Sequence, residues 1–168
     1  MKITSRVKNI VFNGRNEWVV ITNENQPASA IFLIHVLPLS IFFSVTGFIG
    51  FGLIGQIKPF IGHIGSVSLG LRYAVVFLIT LTGGVILPAI LTNYVTHKFS
   101  HRKNFDGIFR LIAYSYTPVM AAGIFCLLPS LVILIVPAYI QSIFLVYSGL
   151  KPVLNIPDNK INNFFSFL

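Results

Sequence analysis

A long stretch near the C-terminal end of the chain carries almost no charge. Residues 108–150 contain one charged side chain, Arg110, close to their beginning. A membrane-crossing helix needs about 20 apolar residues, so this stretch is long enough for two. Leu128-Pro129-Ser130 lies near its middle, and a proline cannot donate the hydrogen bond that continues a helix. The stretch therefore predicts two membrane crossings joined by a tight turn at Pro129.

The composition of the whole chain indicates that it lies mostly in lipid. Of its 168 residues, 55% are hydrophobic and 10% are charged, whereas a soluble domain carries about 25% charged residues. The net charge of +8 raises the question of nucleic-acid binding. The basic residues lie beside hydrophobic runs instead of forming one stripe, which is typical of charges that set membrane topology. We therefore expect contact with membrane lipids and no nucleic acid.

The hydrophobic runs predict an all-α fold, a polytopic transmembrane helical bundle with four spans. A polar, basic N-terminal segment, residues 1–30, is expected to precede the transmembrane domain, residues 31–150, and a tail, residues 151–168, to follow it. The tail is either cytosolic or the start of a fifth span. The predicted spans are 31–54, 71–93, 108–128 and 130–150, and each contains one proline: Pro38, Pro88, Pro118 and Pro137.

The distribution of lysine and arginine predicts the orientation. Ten of these residues lie in the N-terminal segment, around the loop between spans two and three, and in the tail; only Lys58 and Arg72 lie elsewhere. The positive-inside rule then places both termini in the cytoplasm. The N-terminal segment itself has apolar residues at helical spacing from Val7 to Val11, then a turn signal, and then Trp18. We expect a short helix in the interface with Trp18 at headgroup depth, or else a plain cytosolic tail.

Few residues have the spacing that chemistry requires. His97 and His101 are four apart and Asp106 follows, but a metal site needs more ligands, so lipid headgroup contacts are favoured and no metal is expected. His35, near the start of span one, is either a proton relay or, as we favour, a polar residue satisfied by a neighbouring helix. No nucleophile, base or metal cluster has usable spacing. We therefore expect neither an enzyme nor a cofactor.

Small residues are grouped within the spans, and two interpretations of them remain. The groups run from Gly47 to Gly55, at Gly83-Gly84 and at Ala121-Ala122-Gly123. Small residues let helices approach closely in lipid, which explains the groups without any substrate. The alternative is a transporter with broken helices that line a path. Against a transporter, the sequence places no charged residue in the middle of a span.

Several motifs, read in order, resemble the Yip domain family, membrane proteins first known for binding Ypt/Rab GTPases. The resemblance begins at residues 6–10, Glu17-Trp18 and residues 36–39 and 47–50, and it covers nearly the whole chain. It is strongest at residues 113–118, 127–129 and 147–150 and at Ile156-Pro157. Five of these residues stand out as the family motif: Tyr114, Pro118, Pro129, Tyr147 and Gly149.

The resemblance implies an all-helical domain, usually of five spans, with a cytosolic N-terminus. The sequence stops at Leu168, so we expect the family's five-span pattern to be cut short in it, either by truncation of the sequence or in a genuine four-span variant. The short N-terminal segment resembles bacterial members, so Rab binding is not implied, and the bacterial inner membrane is the expected location. A eukaryotic ER or Golgi membrane is the alternative.

These observations favour a membrane scaffold or adaptor of the Yip type over a small transporter or channel component. The scaffold would offer small-residue helix faces and a basic cytosolic surface to an unknown membrane or cytosolic protein partner or to anionic lipid. A homo-oligomer is also compatible with the small-residue faces. The residues assigned to the lipid or partner surface are Lys98, Arg102, Lys103, Arg110 and Trp18.

Overall fold

The computed structural model describes residues 3–58, 62–99 and 105–154. Within them, four apolar helices are long enough to cross a membrane, and we call them spans one to four: Ala28–Ile54, Val67–Tyr94, Phe105–Leu127 and Pro129–Val153. The predicted all-α, four-span fold is confirmed. The only strands in the described part of the chain are two short antiparallel ones between spans one and two, β1 (Gln56–Lys58) and β2 (Gly62–Ile64).

Spans one, three and four each contain several helical elements, whereas span two is part of a single helix. Span one is α2 (Ala28–Ile31), a π-helical turn (Phe32–Val36), α3 (Leu37–Gly47) and a second π-helical stretch (Phe48–Ile54). Span two lies within α4 (Val67–Phe99). Span three is α5 (Phe105–Ser115), α6 (Thr117–Ala121) and a 3₁₀ stretch (Ala122–Leu127). Span four is a 3₁₀ stretch (Pro129–Leu134) and α7, which runs over Ile135–Leu154. Before the spans comes α1 (Ile3–Glu24).

The π-helical turn in span one accommodates Pro38. The N–H of Leu37 donates to the carbonyl of Phe32, five residues back. A proline ring clashes with the carbonyl four residues before it in an α-helix, and the wider turn inserts one residue just ahead of that point. A proline inside a helix is expected to kink or break it, but at Pro38 the helix is continuous and only its hydrogen-bond register changes.

Span three is the centre of the bundle. Within its most apolar window 78% of the residues are buried, against 39%, 17% and 22% for spans one, two and four. It breaks at Tyr116, just before Pro118. The hydroxyl of Ser142 in span four donates to the carbonyl of Ser115 at 2.5 Å, so a neighbouring helix satisfies a backbone group at the break, as lipid requires.

The turn between spans three and four falls where the sequence predicted it. Leu128 is extended (φ −114°, ψ 104°) and Pro129 begins the next helix. The N–H of Leu131 donates to the carbonyl of Leu128 at 2.8 Å, which closes the turn. Spans three and four therefore lie side by side as an antiparallel pair.

The first helix, α1, folds back on itself at Asn13, whose backbone is not helical (φ −142°, ψ 42°). Arg6 contacts Glu17 at 2.8 Å, and Asn9 donates to the same carboxylate at 3.0 Å. In a straight helix Arg6 and Glu17 would be about 16 Å apart. Residues 3–12 and 14–24 therefore form two antiparallel arms, which we call the N-terminal hairpin.

The N-terminal hairpin packs along span four. Three hydrogen bonds join them: Gln141 Nε2 to the Val11 carbonyl at 2.5 Å, Trp18 Nε1 to Ser148 Oγ at 3.2 Å, and Thr22 Oγ1 to the Pro152 carbonyl at 3.4 Å. At the end of the bundle where spans one and three begin, the N–H of Ala28 donates to Asp106 Oδ1 at 2.8 Å. We call this the entry end.

The placement of Trp18 corrects the expectation of a headgroup anchor. Its side chain is 1% exposed and lies inside the protein. Two features of span four make room for it. A Cβ at Gly149 would lie 2.7 Å from the indole, so only glycine fits there, and Ser148 accepts the indole N–H, which a buried tryptophan needs.

Glycines allow close backbone contact between several spans. A Cβ on Gly50 in span one would overlap the carbonyl oxygen of Cys126 in span three, and one on Gly123 would lie 2.7 Å from the ring of Phe43. The interpretation of these small residues as packing sites is confirmed. Gly83 is an exception, because a Cβ there would meet no atom within 4 Å.

Candidate functional site

A cluster of charged side chains is buried between the N-terminal hairpin and the spans. Arg6 is 5% exposed and Glu17 is 6% exposed. One guanidinium nitrogen of Arg6 bonds Glu17 at 2.8 Å and the other bonds Glu24, from the far end of the second arm. Asn9 donates to the remaining oxygen of Glu17. We call these four residues the Arg6 cluster.

The electrostatics of the Arg6 cluster keep its guanidinium charged. Burial alone would lower the pKa of Arg6, because removal from water disfavours the cation. The hydrogen bond and charge of Glu24, together with the charge of Glu17, outweigh burial, so the pKa of Arg6 is raised. A buried charge is tolerated when it is paired and hydrogen-bonded, and the two carboxylates supply that pairing.

The Arg6 cluster continues into the bundle through two rings. The guanidinium of Arg6 lies 5.7 Å from the ring centre of Tyr114, a cation–π contact. The Tyr114 ring lies 4.6 Å from that of His35, and His35 Nε2 lies 2.8 Å from Thr117 Oγ1. A row of polar groups therefore leads from Glu24, the last residue of the second arm, to Thr117 at the break in span three.

This row confirms one expectation and contains a charge that none of the spans supplies. His35 is satisfied by a neighbouring helix, as expected, since Thr117 of span three is its partner. The middles of the four spans carry no charged residue, as the sequence indicated, and the buried charge of Arg6 lies against Tyr114 of span three. The charge comes from the N-terminal segment folding back into the bundle, and not from any span, which is why a span-by-span search does not find it.

A second polar cluster holds the link between the hairpin and span one. Arg110 Nη2 donates to Asn25 Oδ1 at 3.1 Å and to the carbonyl of Gln26 at 2.8 Å. Asn25 has a left-handed backbone (φ 42°), a conformation that asparagine tolerates better than most residues. Arg110 is 4% exposed, so its role here is to fix the turn that directs the chain from the hairpin into span one.

The residues predicted to form a lipid or partner surface divide into two groups. Trp18 and Arg110 are inside the protein, which differs from the expected surface position, because each is bonded to another part of the chain. The side chain of Lys98 and the whole of Arg102 and Lys103 lie outside the described residues. The same holds for the side chains of the predicted histidine pair. In the part of the chain that the structure describes, no group of three His, Cys, Asp or Glu residues could hold a metal ion.

Four of the five family-motif residues lie at structural junctions. Tyr114 lies between Arg6 and His35, Pro118 follows the break in span three, Pro129 begins span four, and Gly149 lies under Trp18. Tyr147 is 43% exposed on the outer side of span four.

Sequence reasoning missed the Arg6 cluster, although one signal was present. Glu17 and Glu24 are two of only four acidic residues in the chain. They are seven residues apart, so they lie on one face of a helix. A turn signal at Asn13-Gly14 separates them from Arg6, and a fold-back at that turn brings the opposite charges together.

Comparison with known proteins agrees with the motifs. A model of the Yip1 domain matches residues 8–168, nearly the whole chain. No curated protein and no solved structure matches it. The described chain has four apolar helices of spanning length, and the family match covers all four of them as well as the second arm of the hairpin and the end of the first. The chain is therefore an integral membrane protein and belongs to the Yip1 domain family.

Proposed function

We propose that this protein is a non-enzymatic membrane scaffold or adaptor of the Yip type. The observation that supports this most is the packing at mid-bundle. Thr117 is fully buried and Tyr114 is 4% exposed, and both contact His35. A small transporter, the alternative, needs a water-filled path beside these residues, whereas here the side chains fill the space with one another.

An open groove on the outside of the bundle also supports a scaffold more than a carrier. It lies between spans one and two, has a volume of about 320 Å³, and is lined by Ser44 and seven apolar residues: Ile41, Val45, Phe48, Leu71, Ala74, Val75 and Leu78. The hydroxyl of Ser44 is already bonded to the carbonyl of Ser40. A groove of this chemistry suits lipid chains or an apolar helix and offers no polar group to a water-soluble cargo.

We propose that both termini and the loop between spans two and three face the cytoplasm, most simply of the bacterial inner membrane. The support is the distribution of lysine and arginine: ten lie in the segments proposed to face the cytoplasm and two, Lys58 and Arg72, lie on the opposite side. Reporter fusions after Gly62 and after Lys103 are expected to report opposite sides of the membrane. If both fusions report the same side, this orientation is wrong.

The partner surface is proposed to be the basic loop at this face, with anionic lipid or an acidic protein surface as its ligand. Each basic residue near an anionic leaflet contributes about 1 kcal/mol. Replacing Arg102 and Lys103 together with glutamine should therefore weaken recovery of co-purified anionic lipid or partner by roughly 30-fold in affinity, while the remaining basic residues keep the topology.

The matched control replaces Lys58 and Arg72 with glutamine, the two cations predicted on the opposite face. This control should leave recovery of lipid and partner unchanged. Both variants are compared at equal membrane abundance. Unchanged recovery from a normally inserted Arg102/Lys103 variant would limit these residues to setting the topology.

A further inference from the structure

The depth to which the N-terminal hairpin reaches can be measured against span four. Span four has 25 residues, Pro129–Val153, and Gln141 is the middle one. Gln141 bonds the carbonyl of Val11, two residues before the turn of the hairpin. The helical distance from Val153 back to Gln141 is about 18 Å, against about 30 Å for the hydrocarbon core of a bilayer. The turn of the hairpin is therefore level with the middle of span four.

Span three gives the same result independently. The hairpin packs against α6 (Thr117–Ala121), and α6 begins directly after Tyr116, the middle residue of the 23 in span three. The other end of the hairpin lies near the ends of the spans, since Thr22 bonds the Pro152 carbonyl. The hairpin thus runs from the entry end to the middle of the bundle and back.

The outer face of the hairpin carries both apolar and polar side chains. Arg6 and Glu17 face inward and are buried, whereas Lys8, Asn13 and Asn16 are exposed. Three large apolar side chains are exposed beside them: Phe12 is 83% exposed, Val19 58% and Val20 43%.

The apolar part of this outer face is continuous with the surface of span four. Ile140 and Phe144 are 65% and 60% exposed, and each directly precedes a residue that the hairpin contacts, Gln141 and Leu145. The same environment must therefore cover both the flank of span four and the outside of the hairpin. Since span four crosses the membrane, that environment is lipid.

We propose that the N-terminal hairpin is a re-entrant element, which enters the bilayer from the entry end and turns back near its middle. Its outer face at Phe12, Val19 and Val20 lies among the acyl chains of the leaflet at that end. The hairpin leaves the opposite leaflet untouched. This placement rests on membership of a membrane family and on the contacts above, and it is independent of the scaffold role.

The test measures the depth of two outer positions. Phe12→Cys and Val20→Cys are made separately in a Cys126→Ala background, so that each protein has one cysteine. Each is labelled with an environment-sensitive thiol fluorophore and reconstituted in vesicles of phosphatidylcholine and phosphatidylglycerol. Quenching is measured with nitroxide lipids labelled at the headgroup or near the methyl end of the acyl chain, and with iodide in the water.

Two single-cysteine controls set the scale. Ile79→Cys lies on the outer face of span two, 65% exposed, and Ser66→Cys is exposed before span two begins. The Phe12 position should be quenched by the acyl-chain nitroxide as strongly as Ile79→Cys, and by iodide much less than Ser66→Cys. The Val20 position, nearer the entry end, should respond more to the headgroup nitroxide than the Phe12 position does.

Three results would overturn the proposal. Iodide quenching at the level of Ser66→Cys would place the hairpin in water. Quenching by the headgroup nitroxide alone at both positions would place it in the interface; Arg15 and Asn16 directly follow the turn in sequence, which makes depth the decisive measurement. Protection from all three quenchers would mean that protein, such as a second copy of this chain, covers the face.

Discussion

Replacing Arg6 with methionine is expected to destabilise the protein by about 3–5 kcal/mol, because it leaves the buried carboxylate of Glu17 without its partner. Glu17 is 6% exposed and has Asn9 as its other hydrogen-bond donor, which does not neutralise a charge. For a chain of this size the unfolding midpoint should fall by roughly 6–20 °C. The measurement is thermal unfolding in mild detergent, followed by the fraction that remains monodisperse on gel filtration.

The matched control is Lys8→Met, on the same arm but exposed, which should leave the midpoint within about 1 °C because exposed substitutions change stability little. A rescue variant tests the cause: Arg6→Met combined with Glu17→Gln and Glu24→Gln removes the unpaired charge and should recover much of the loss. If Arg6→Met melts like Lys8→Met, the cluster does not hold the hairpin to the spans.

Replacing Gly50 with alanine is expected to push spans one and three apart. The added Cβ would overlap the carbonyl oxygen of Cys126, and since that oxygen belongs to the backbone, no side-chain rotation relieves the contact. Overpacking of this kind costs about 3 kcal/mol, at the upper end of the usual range. The expected results are a lower unfolding midpoint in detergent and reduced abundance in the membrane.

Gly83→Ala is the matched control for this substitution. Gly83 is also helical, but a Cβ there meets no atom within 4 Å, so the change should be neutral or stabilise by up to about 1 kcal/mol through helix propensity. Equal effects of the two substitutions would contradict the close approach of the spans at Gly50.

The features that sequence reasoning found are those that depend on local composition. The uncharged run from residue 108 to 150 predicted two spans, because charge is excluded from lipid. Pro129 predicted the turn between them, because it has no N–H to donate. The sequence could not predict that a π-helical turn precedes Pro38, because a kink, a break and a π-helical turn would each relieve the same steric clash.

The N-terminal hairpin was missed for a different reason. Hydropathy treats Arg6 and Glu17 as groups that stay in water, but paired charges inside a protein can lie at membrane depth. Arg6 pairs with Glu17, which is 11 positions later in α1, and with Glu24, which is 18 positions later. The burial of Trp18 likewise depends on a distant residue, Ser148, which accepts its indole N–H. No window short enough to detect a helix contains both partners of such contacts.

The contacts between the hairpin and span four constrain how the protein is made. The bonds Trp18–Ser148, Thr22–Pro152 and Val11–Gln141 each join residues 130 positions apart. At a synthesis rate of about 5–20 residues per second, span four emerges roughly 7–26 s after the hairpin. Until then the site into which Trp18 fits does not exist. The hairpin is synthesised before all four spans but must therefore be assembled after them, once they are in the membrane.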